Sequence, residues 1–214
     1  MFENPVLDAF TRVPWWGVPL VWGPLLGALA WAGLSGQALP GVPGWLTPSA
    51  AAAPASFIGW ALLGVLCWTL AEYLFHRFVF HWVPDVSWGP RVHFFAHGVH
   101  HDWPDDRWRL VMPPVVSLVL GAAFHALARL LLGDGGIPWF VGFAGGYVVY
   151  DLTHYAIHHV RGPVPRWFAR IRAHHLRHHF RDPTRGFGVT SALWDRVFGT
   201  AAEPGPVAER ARRG

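Results

Sequence analysis

The sequence predicts an all-α integral membrane protein, with four transmembrane helices in two hairpins under a cytosolic, histidine-rich helical cap that holds a dimetal site. Two observations support this fold class. Hydrophobic residues make up 52% of the 214 residues and charged residues only 14%, against about 25% charged in an average soluble domain. Apolar stretches of helical length alternate with segments that hold most of the 14 histidines. We interpret residues 1–214 as a single membrane domain.

The elements are predicted in chain order. Residues 1–12 form a short polar N-terminus, and residues 13–155 contain the four spans, at about 16–34, 55–75, 112–132 and 137–155. No charged side chain occurs from Val13 to Ala71, and about 20 apolar residues suffice for one membrane crossing. Residues 156–200 form the cap, and residues 201–214 form a polar tail. The start of the chain lacks a basic segment before a short apolar run, so we expect no removable signal peptide.

Histidines occur in four spaced motifs. Two of them read H-x-x-H-H, one reads H-x-x-x-H and one reads H-x-x-x-x-H. Offsets of three and four residues share one helix face. An offset of five does not stay on one face of a straight helix, and it fits a helix end whose last turn changes pitch. Neutral imidazole is a common metal ligand. The ten candidate ligands are His76, His81, His97, His100, His101, His154, His158, His175, His178 and His179.

The predicted topology puts all four motifs on one side of the membrane, because each follows the second or the fourth span. Arginines near the span ends predict that this face and both termini are cytoplasmic. All 17 basic residues are arginine, a bias that favours a bacterial source and therefore a bacterial inner membrane. Basic charge beside spans fits anionic headgroups, so we expect no nucleic-acid partner. The lone Cys67 excludes a disulfide and an iron–sulfur cluster.

Ten imidazoles can supply two metal ions with four or five nitrogens each. Imidazole accepts iron, zinc and copper alike, so the location of the site has to decide. A metal pair beside lipid is placed to act on acyl chains, whose methylene groups react by oxidation with a redox metal and molecular oxygen. We therefore expect iron in function, with zinc possible in a purified sample. Glu72, at i−4 of His76, and Asp151, at i−3 of His154, are candidate carboxylate partners of these ligands.

Four strings together resemble the fatty acid hydroxylase superfamily, and within it the fatty acid 2-hydroxylase (sphingolipid alpha-hydroxylase) branch. The strings are HRFVFH (76–81), HGVHHDWPDDRWRLVMPP (97–114), GYVVYDLTHYAIHH (146–159) and HHLRHHFRDPTRGFGVTSALWDRVFGT (174–200). The resemblance implies a dimetal, oxygen-dependent enzyme that hydroxylates C2 of a long acyl chain, free or sphingolipid-linked. It also implies that the ten histidines are the ligands, and it matches Tyr150 and Asp151 to the family's Tyr-Asp pair beside the third motif.

Many eukaryotic relatives carry a fused cytochrome b5-like domain, but only about a dozen residues precede the first span here. We therefore expect a separate electron donor, a ferredoxin or a cytochrome with its reductase. Two alternatives remain open. A related membrane diiron oxygenase could act on a sterol, on a carotenoid, or as an acyl desaturase. A non-enzymatic metal transporter or haem-binding protein would instead need polar ligands within its spans, where His125 alone lies deep.

Overall fold

The computed structural model describes Asp8 and residues 12–203, so most of the predicted polar N-terminus and most of the predicted tail lie outside the described residues. In this part of the chain every regular element is a helix, which confirms the all-α prediction. The α-helices are α1 (Gly17–Ser35), α2 (Pro54–Phe75), α3 (Gly89–His93), α4 (Val99–Asp102), α5 (Pro114–Leu132), α6 (Gly136–His159), α7 (Arg166–Phe180) and α8 (Leu193–Val197).

Three helical runs are long and apolar enough to cross a membrane, judged by length and composition: Gly17–Ser35, Pro54–Phe80 and Pro114–His159. They support the prediction of an integral membrane protein. The third run has 46 residues and contains α5 and α6, which are separated by a short 3₁₀ turn at Gly133–Gly135. Apolar side chains on these runs are widely exposed, as expected for faces that meet lipid; Leu130, for example, is 81% exposed.

The chain divides into two compact units. The first comprises the described residues up to Trp68 together with Val111–Asp151, and the second comprises Thr69–Leu110 together with the described residues from Leu152 onward. All ten candidate ligands belong to the second unit. The single-domain organisation stays a prediction.

Aromatic packing forms the core of the first unit. Trp22 is almost fully buried on α1, and its indole N–H donates a hydrogen bond of 3.0 Å to the Ser117 hydroxyl on α5. The same indole ring lies 5.6 Å from the ring of Tyr147 and 6.3 Å from that of Phe140, both on α6. A buried tryptophan needs a partner for its polar nitrogen, and Ser117 provides it.

Helices α2 and α6 approach so closely within the first unit that glycine is required on both. A Cβ added to Gly64 would lie 2.0 Å from the carbonyl oxygen of Trp139, and one added to Gly142 would lie 1.9 Å from that of Ala61. Small residues at helix contacts allow this kind of close backbone packing in membrane proteins.

In the first unit, one arginine connects the loop between α1 and α2 with the turn between α5 and α6. Arg129, near the end of α5, donates to the carboxylate of Asp134 at 2.8 Å. It also donates to the carbonyl oxygens of Thr47 at 2.8 Å and Trp45 at 3.2 Å, in the loop between α1 and α2. A buried guanidinium with several acceptors is well satisfied, so this residue holds the loop in place.

In the second unit, α2 continues into a π-helical turn, His76–Phe80. The backbone N–H of His81 donates to the carbonyl oxygen of His76 at 3.3 Å, an i to i+5 bond. The wider turn confirms the predicted change of pitch and brings the two imidazoles to one side. A second π-helical turn, Phe94–Gly98, follows α3 and contains His97; the sequence did not predict it. Such turns are rare in proteins, and those that do occur are often found at functional sites.

Candidate metal centre

The structure gathers the ten histidines into two groups of five, and the candidate ligand atoms in each group lie within 4.8 Å of one another. Both groups lie in the second unit. The first group consists of His76, His81, His97, His101 and His178. The second group consists of His100, His154, His158, His175 and His179.

Each H-x-x-H-H motif is divided between the two groups. His97 and His101 belong to the first group, whereas His100 between them belongs to the second. In α7 the assignment is reversed, so that His178 joins the first group and its neighbour His179 the second. The offsets alone put the members of each triplet on one helix face, and the structure divides them between the two groups. The rings of His101 and His179 stack where the groups meet, with centroids 4.1 Å apart.

Ring nitrogens of the first group lie close together. The Nε2 atom of His76 is 3.1 Å from that of His97 and 3.3 Å from that of His81. The Nε2 atom of His81 is 2.9 Å from that of His178, and those of His97 and His101 are 3.0 Å apart. Two ligands at right angles, each about 2.1 Å from one metal ion, would be about 3.0 Å apart. The observed spacing therefore fits five nitrogens around a shared ion.

The second group has the same character. The Nε2 atom of His179 is 3.0 Å from the Nε2 atoms of both His100 and His175. The ring of His154 lies 4.4 Å from that of His100 and 4.6 Å from that of His175. The Nε2 atom of His158 is buried and has no hydrogen-bond partner among the described residues. A buried nitrogen of this kind calls for a ligand, and a metal ion fits it.

Burial keeps these imidazoles in the form that binds metal. His97, His100 and His175 are 5% exposed or less, and burial lowers their pKa well below the ordinary value. For the half-buried His81, burial and then repulsion by His178 lower the pKa to about 3. Metal ligands must be deprotonated, so the histidines enter the site neutral at pH 7.

Two ligands of the first group are oriented by main-chain carbonyls. The Nδ1–H of His76 donates to the carbonyl oxygen of Phe187 at 2.5 Å, and the Nδ1–H of His178 donates to that of Arg185 at 2.9 Å. A carbonyl accepts only, so the proton resides on Nδ1 and the lone pair of Nε2 faces the group. This is the usual outer contact of a metal-bound histidine.

A model of the fatty acid hydroxylase family matches residues 61–200, which include all ten histidines. The chain belongs to the fatty acid hydroxylase family. It is 37% identical over 201 residues to a dihydroceramide fatty acyl 2-hydroxylase of Arabidopsis thaliana, covering 93% of this chain and 78% of that protein. It is 38% identical to the fatty acid 2-hydroxylase of Rattus norvegicus, covering 94% of this chain and 56% of the rat protein.

A solved structure of full-length scs7p, in which only the hydroxylase domain is visible, superposes with a TM-score of 0.81 at 34% identity. The match covers 98% of this chain and 74% of that one. The chain spans little more than half the length of several curated relatives, including the rat protein. These similarities confirm the prediction of an enzyme of the fatty acid 2-hydroxylase type.

Glu72, a predicted partner of His76 in this hydroxylase, has other contacts. Its carboxylate accepts hydrogen bonds from the backbone N–H of Val189 at 2.6 Å and of Thr190 at 2.8 Å, and from the Thr190 hydroxyl at 2.6 Å. His76 donates to a backbone carbonyl instead. Glu72 lies on the expected helix, but its carboxylate oxygens accept hydrogen bonds from the loop that follows α7.

Tyr150 and Asp151, which the family resemblance singled out, lie in the first unit. The carboxylate of Asp151 accepts hydrogen bonds from the hydroxyl of Tyr147 at 3.0 Å and from the backbone N–H of Met112 at 3.2 Å. The ring of Tyr150 is buried, 5.7 Å from the ring of Trp68. Within the first unit, the contacts of Asp151 are thus with a tyrosine and a backbone amide, and its role as a partner of His154 stays a prediction.

The sequence did not identify the carbonyl oxygens of Arg185 and Phe187 as outer contacts of the ligands. Main-chain atoms are present at every position, so residue types give no signal for them. The Gly-Phe-Gly run at 186–188 was the available hint: Gly186 has φ 79°, a value that favours glycine. A turn there lets the chain present two carbonyls, two residues apart, to His76 and to His178 within the second unit.

Proposed function

We propose that this chain is an oxygen-dependent dimetal hydroxylase that places a hydroxyl group on C2 of a long acyl chain, free or lipid-linked. The observation that carries the proposal is the pair of five-histidine groups in a member of this family. Relatives named as fatty acid 2-hydroxylases and as a dihydroceramide fatty acyl 2-hydroxylase support the position of attack and the substrate class.

We propose that the ten histidines are the metal ligands, five to each ion, and that both ions are iron in function. Two iron ions, when bound, would supply the redox capacity to activate molecular oxygen for attack on an unactivated C–H bond. Zinc would be accepted by the same imidazoles in an overexpressed sample. The overall reaction consumes one oxygen molecule, two electrons and two protons, and yields the hydroxylated chain and water. A separate ferredoxin or cytochrome, with its reductase, would supply the electrons.

The protein's own residues position the ligands and exclude water. Buried, neutral imidazoles bind the ions without first releasing protons, and the backbone carbonyls of Arg185 and Phe187 set the tautomers of two of them. We propose that Tyr150 and Asp151, which match the family's Tyr-Asp pair by position, act near the substrate. The Tyr147 hydroxyl would then fix the orientation of the Asp151 carboxylate.

For the membrane topology we propose four spans in two hairpins, with α5 and α6 as separate crossings. The Gly133–Gly135 turn between these two helices supports that division. The histidine-bearing face and both termini would be cytoplasmic, and the membrane would be a bacterial inner membrane. Arginines near the span ends support this orientation.

The test is lipid analysis of cells that express the wild type, His100→Ala or His159→Ala and grow under labelled oxygen. His159 lies next to His158 but belongs to neither group, so it provides a matched control. We expect one labelled oxygen at C2 of acyl chains in the wild type and in the control. We expect none in His100→Ala, because the second group loses a nitrogen.

Label at another carbon, or on a sterol or a carotenoid, would replace the 2-hydroxylase assignment by another membrane oxygenase. Wild-type levels of label in His100→Ala would contradict a catalytic role for the second group. Absence of label with metal-loaded protein and a working electron donor would refute the proposed reaction.

A further inference from the structure

The outer nitrogens of the two histidine groups have different surroundings. In the first group, His76 and His178 donate through Nδ1 to carbonyls two residues apart in the loop after α7. In the second group, the Nδ1 atoms of His100, His175 and His179 are buried and have no hydrogen-bond partner among the described residues. Two ligands of the first group therefore have main-chain partners of a kind that these three ligands of the second group lack.

A carboxylate on α2 binds the loop that carries these carbonyls through hydrogen bonds. Glu72 is 3% exposed and accepts the backbone N–H groups of Val189 and Thr190, as well as the Thr190 hydroxyl. Val189 itself is fully buried. Three hydrogen bonds to one buried carboxylate constrain the loop two residues beyond Phe187, because bonds to charged acceptors are the strong ones.

A second carboxylate holds the same loop from α8. Asp195 is fully buried. One of its oxygens accepts the backbone N–H of Phe187 at 3.0 Å and the Thr200 hydroxyl at 2.8 Å. The other accepts the backbone N–H of Gly188 at 2.7 Å and the Nε2–H of His174 at 3.1 Å. All four acceptor positions of the carboxylate are thus in use.

The attached loop also packs its side chain on the first group. The ring of Phe187 lies 5.8 Å from the rings of His76 and His81 and 5.6 Å from that of His178. The residue whose amide is held by Asp195 therefore touches the first group twice, through its carbonyl and through its ring. Movement of this one residue would shift the ligands of the first group.

We propose that Asp195 and Glu72 are positioning residues that act through the loop 181–192, between α7 and α8, on the first group alone, so that the two metal positions hold their ions with unequal strength. The inference rests on the proposed dimetal centre. Outer partners of metal-bound histidines typically change metal affinity by about 10- to 100-fold when mutated. Asp195→Asn puts an amide N–H₂ against two donors, whichever oxygen it replaces, and so releases Phe187 or Gly188.

The experiment follows the loss of cobalt(II) from the full chain in detergent after addition of a chelator, by the visible absorption of the bound ion. The wild type should lose two ions per chain in two phases. His97→Ala should remove the slow phase and His100→Ala the fast phase, which assigns each phase to a group. In Asp195→Asn, the slow phase should become about 10-fold faster, the lower end of the range for direct outer partners, because Asp195 acts through Phe187; the fast phase should stay unchanged.

Asp182→Asn is the control, because this exposed acid lies near the start of the same loop, its hydrogen bonds go to Thr184, and its ion pair with the Arg185 side chain is long, at 4.0 Å, and exposed. It should leave both phases unchanged. Thr200→Val is the milder second variant if Asp195→Asn does not fold. It removes one donor to Asp195 and should accelerate the slow phase in the same direction, by a smaller factor.

Three results would overturn the positioning role. They are release of cobalt from the wild type in a single phase, an unchanged slow phase in both Asp195→Asn and Thr200→Val, and equal acceleration of both phases in these variants. None of these results would touch the proposed reaction. A wild type that binds fewer than two cobalt ions would instead refute the dimetal centre itself, so the two failures are distinguishable.

Discussion

Replacing Gly142 by alanine should destabilise the first unit, because the new methyl group meets the backbone of α2. The added Cβ would lie 1.9 Å from the carbonyl oxygen of Ala61. An ordinary contact between these atom types is about 3.3 Å, so the helices would have to separate by about 1.4 Å. A main-chain carbonyl within a helix cannot rotate away as a flexible side chain can.

The magnitude follows from two opposing effects. Overpacking a well-packed contact costs about 1–3 kcal/mol, and a clash with backbone belongs at the upper end of that range. Replacing glycine by alanine in a helix regains about 1 kcal/mol of propensity. The net loss is about 2 kcal/mol, which corresponds to a fall in Tm of about 4–8 °C for a chain of this size.

The assay is thermal unfolding of the purified protein in detergent, with Gly145→Ala as the control. Gly145 lies on the same helix, and a Cβ there meets nothing within 4 Å. The control keeps the gain in propensity without the clash, so its Tm should rise by about 2–4 °C. A Gly142→Ala protein as stable as Gly145→Ala would refute the close approach of the two backbones.

Three further outcomes are expected. His178→Ala and His179→Ala alter adjacent residues, yet each should lower the metal content from two ions to one by emptying a different group; identical release kinetics would contradict the split. Metal-free protein should lose stability as the pH falls below about 6.5. In the unfolded chain His178 binds a proton there, whereas burial lowers its pKa in the folded protein to about 4. The loss of stability should continue down to a pH of about 4, and a Tm independent of pH between 7 and 4 would contradict this expectation. Arg129→Met should lower the free energy of unfolding by about 2 kcal/mol, because the carbonyl oxygens of Thr47 and Trp45 lose their guanidinium donors. The Tm should fall, and proteolysis of the loop between α1 and α2 should become faster. Unchanged proteolysis would refute the role of this arginine.

The histidine spacing predicted the candidate ligands because helical geometry relates residues that are near in sequence. Offsets of three and four residues stay on one face at 100° per residue, and the five-residue offset of His76 and His81 required the wider turn that the structure contains. The apolar composition similarly predicted an integral membrane protein, since a helix that crosses lipid has to satisfy its own backbone. Both are local properties of the chain.

The division of the ligands was decided by tertiary structure. His100 and His101 both share a face with His97, but successive residues differ by 100° around the helix axis. The helices packed around His100 and His101 therefore decide which histidine group each of them joins. The same holds for Glu72, whose position on α2 is evident from the sequence. Its partners, the amides of Val189 and Thr190, lie more than 100 residues away in the chain.

The sequence by itself therefore determined the all-α fold class, the membrane character and the set of ten histidines. Tertiary structure alone decided how these histidines divide into two groups and which main-chain carbonyls orient them. The physical reason is the range of the interactions. Helical periodicity and hydropathy act over a few residues of the chain, whereas a shared metal position and its outer hydrogen bonds join side chains and backbone atoms from distant segments.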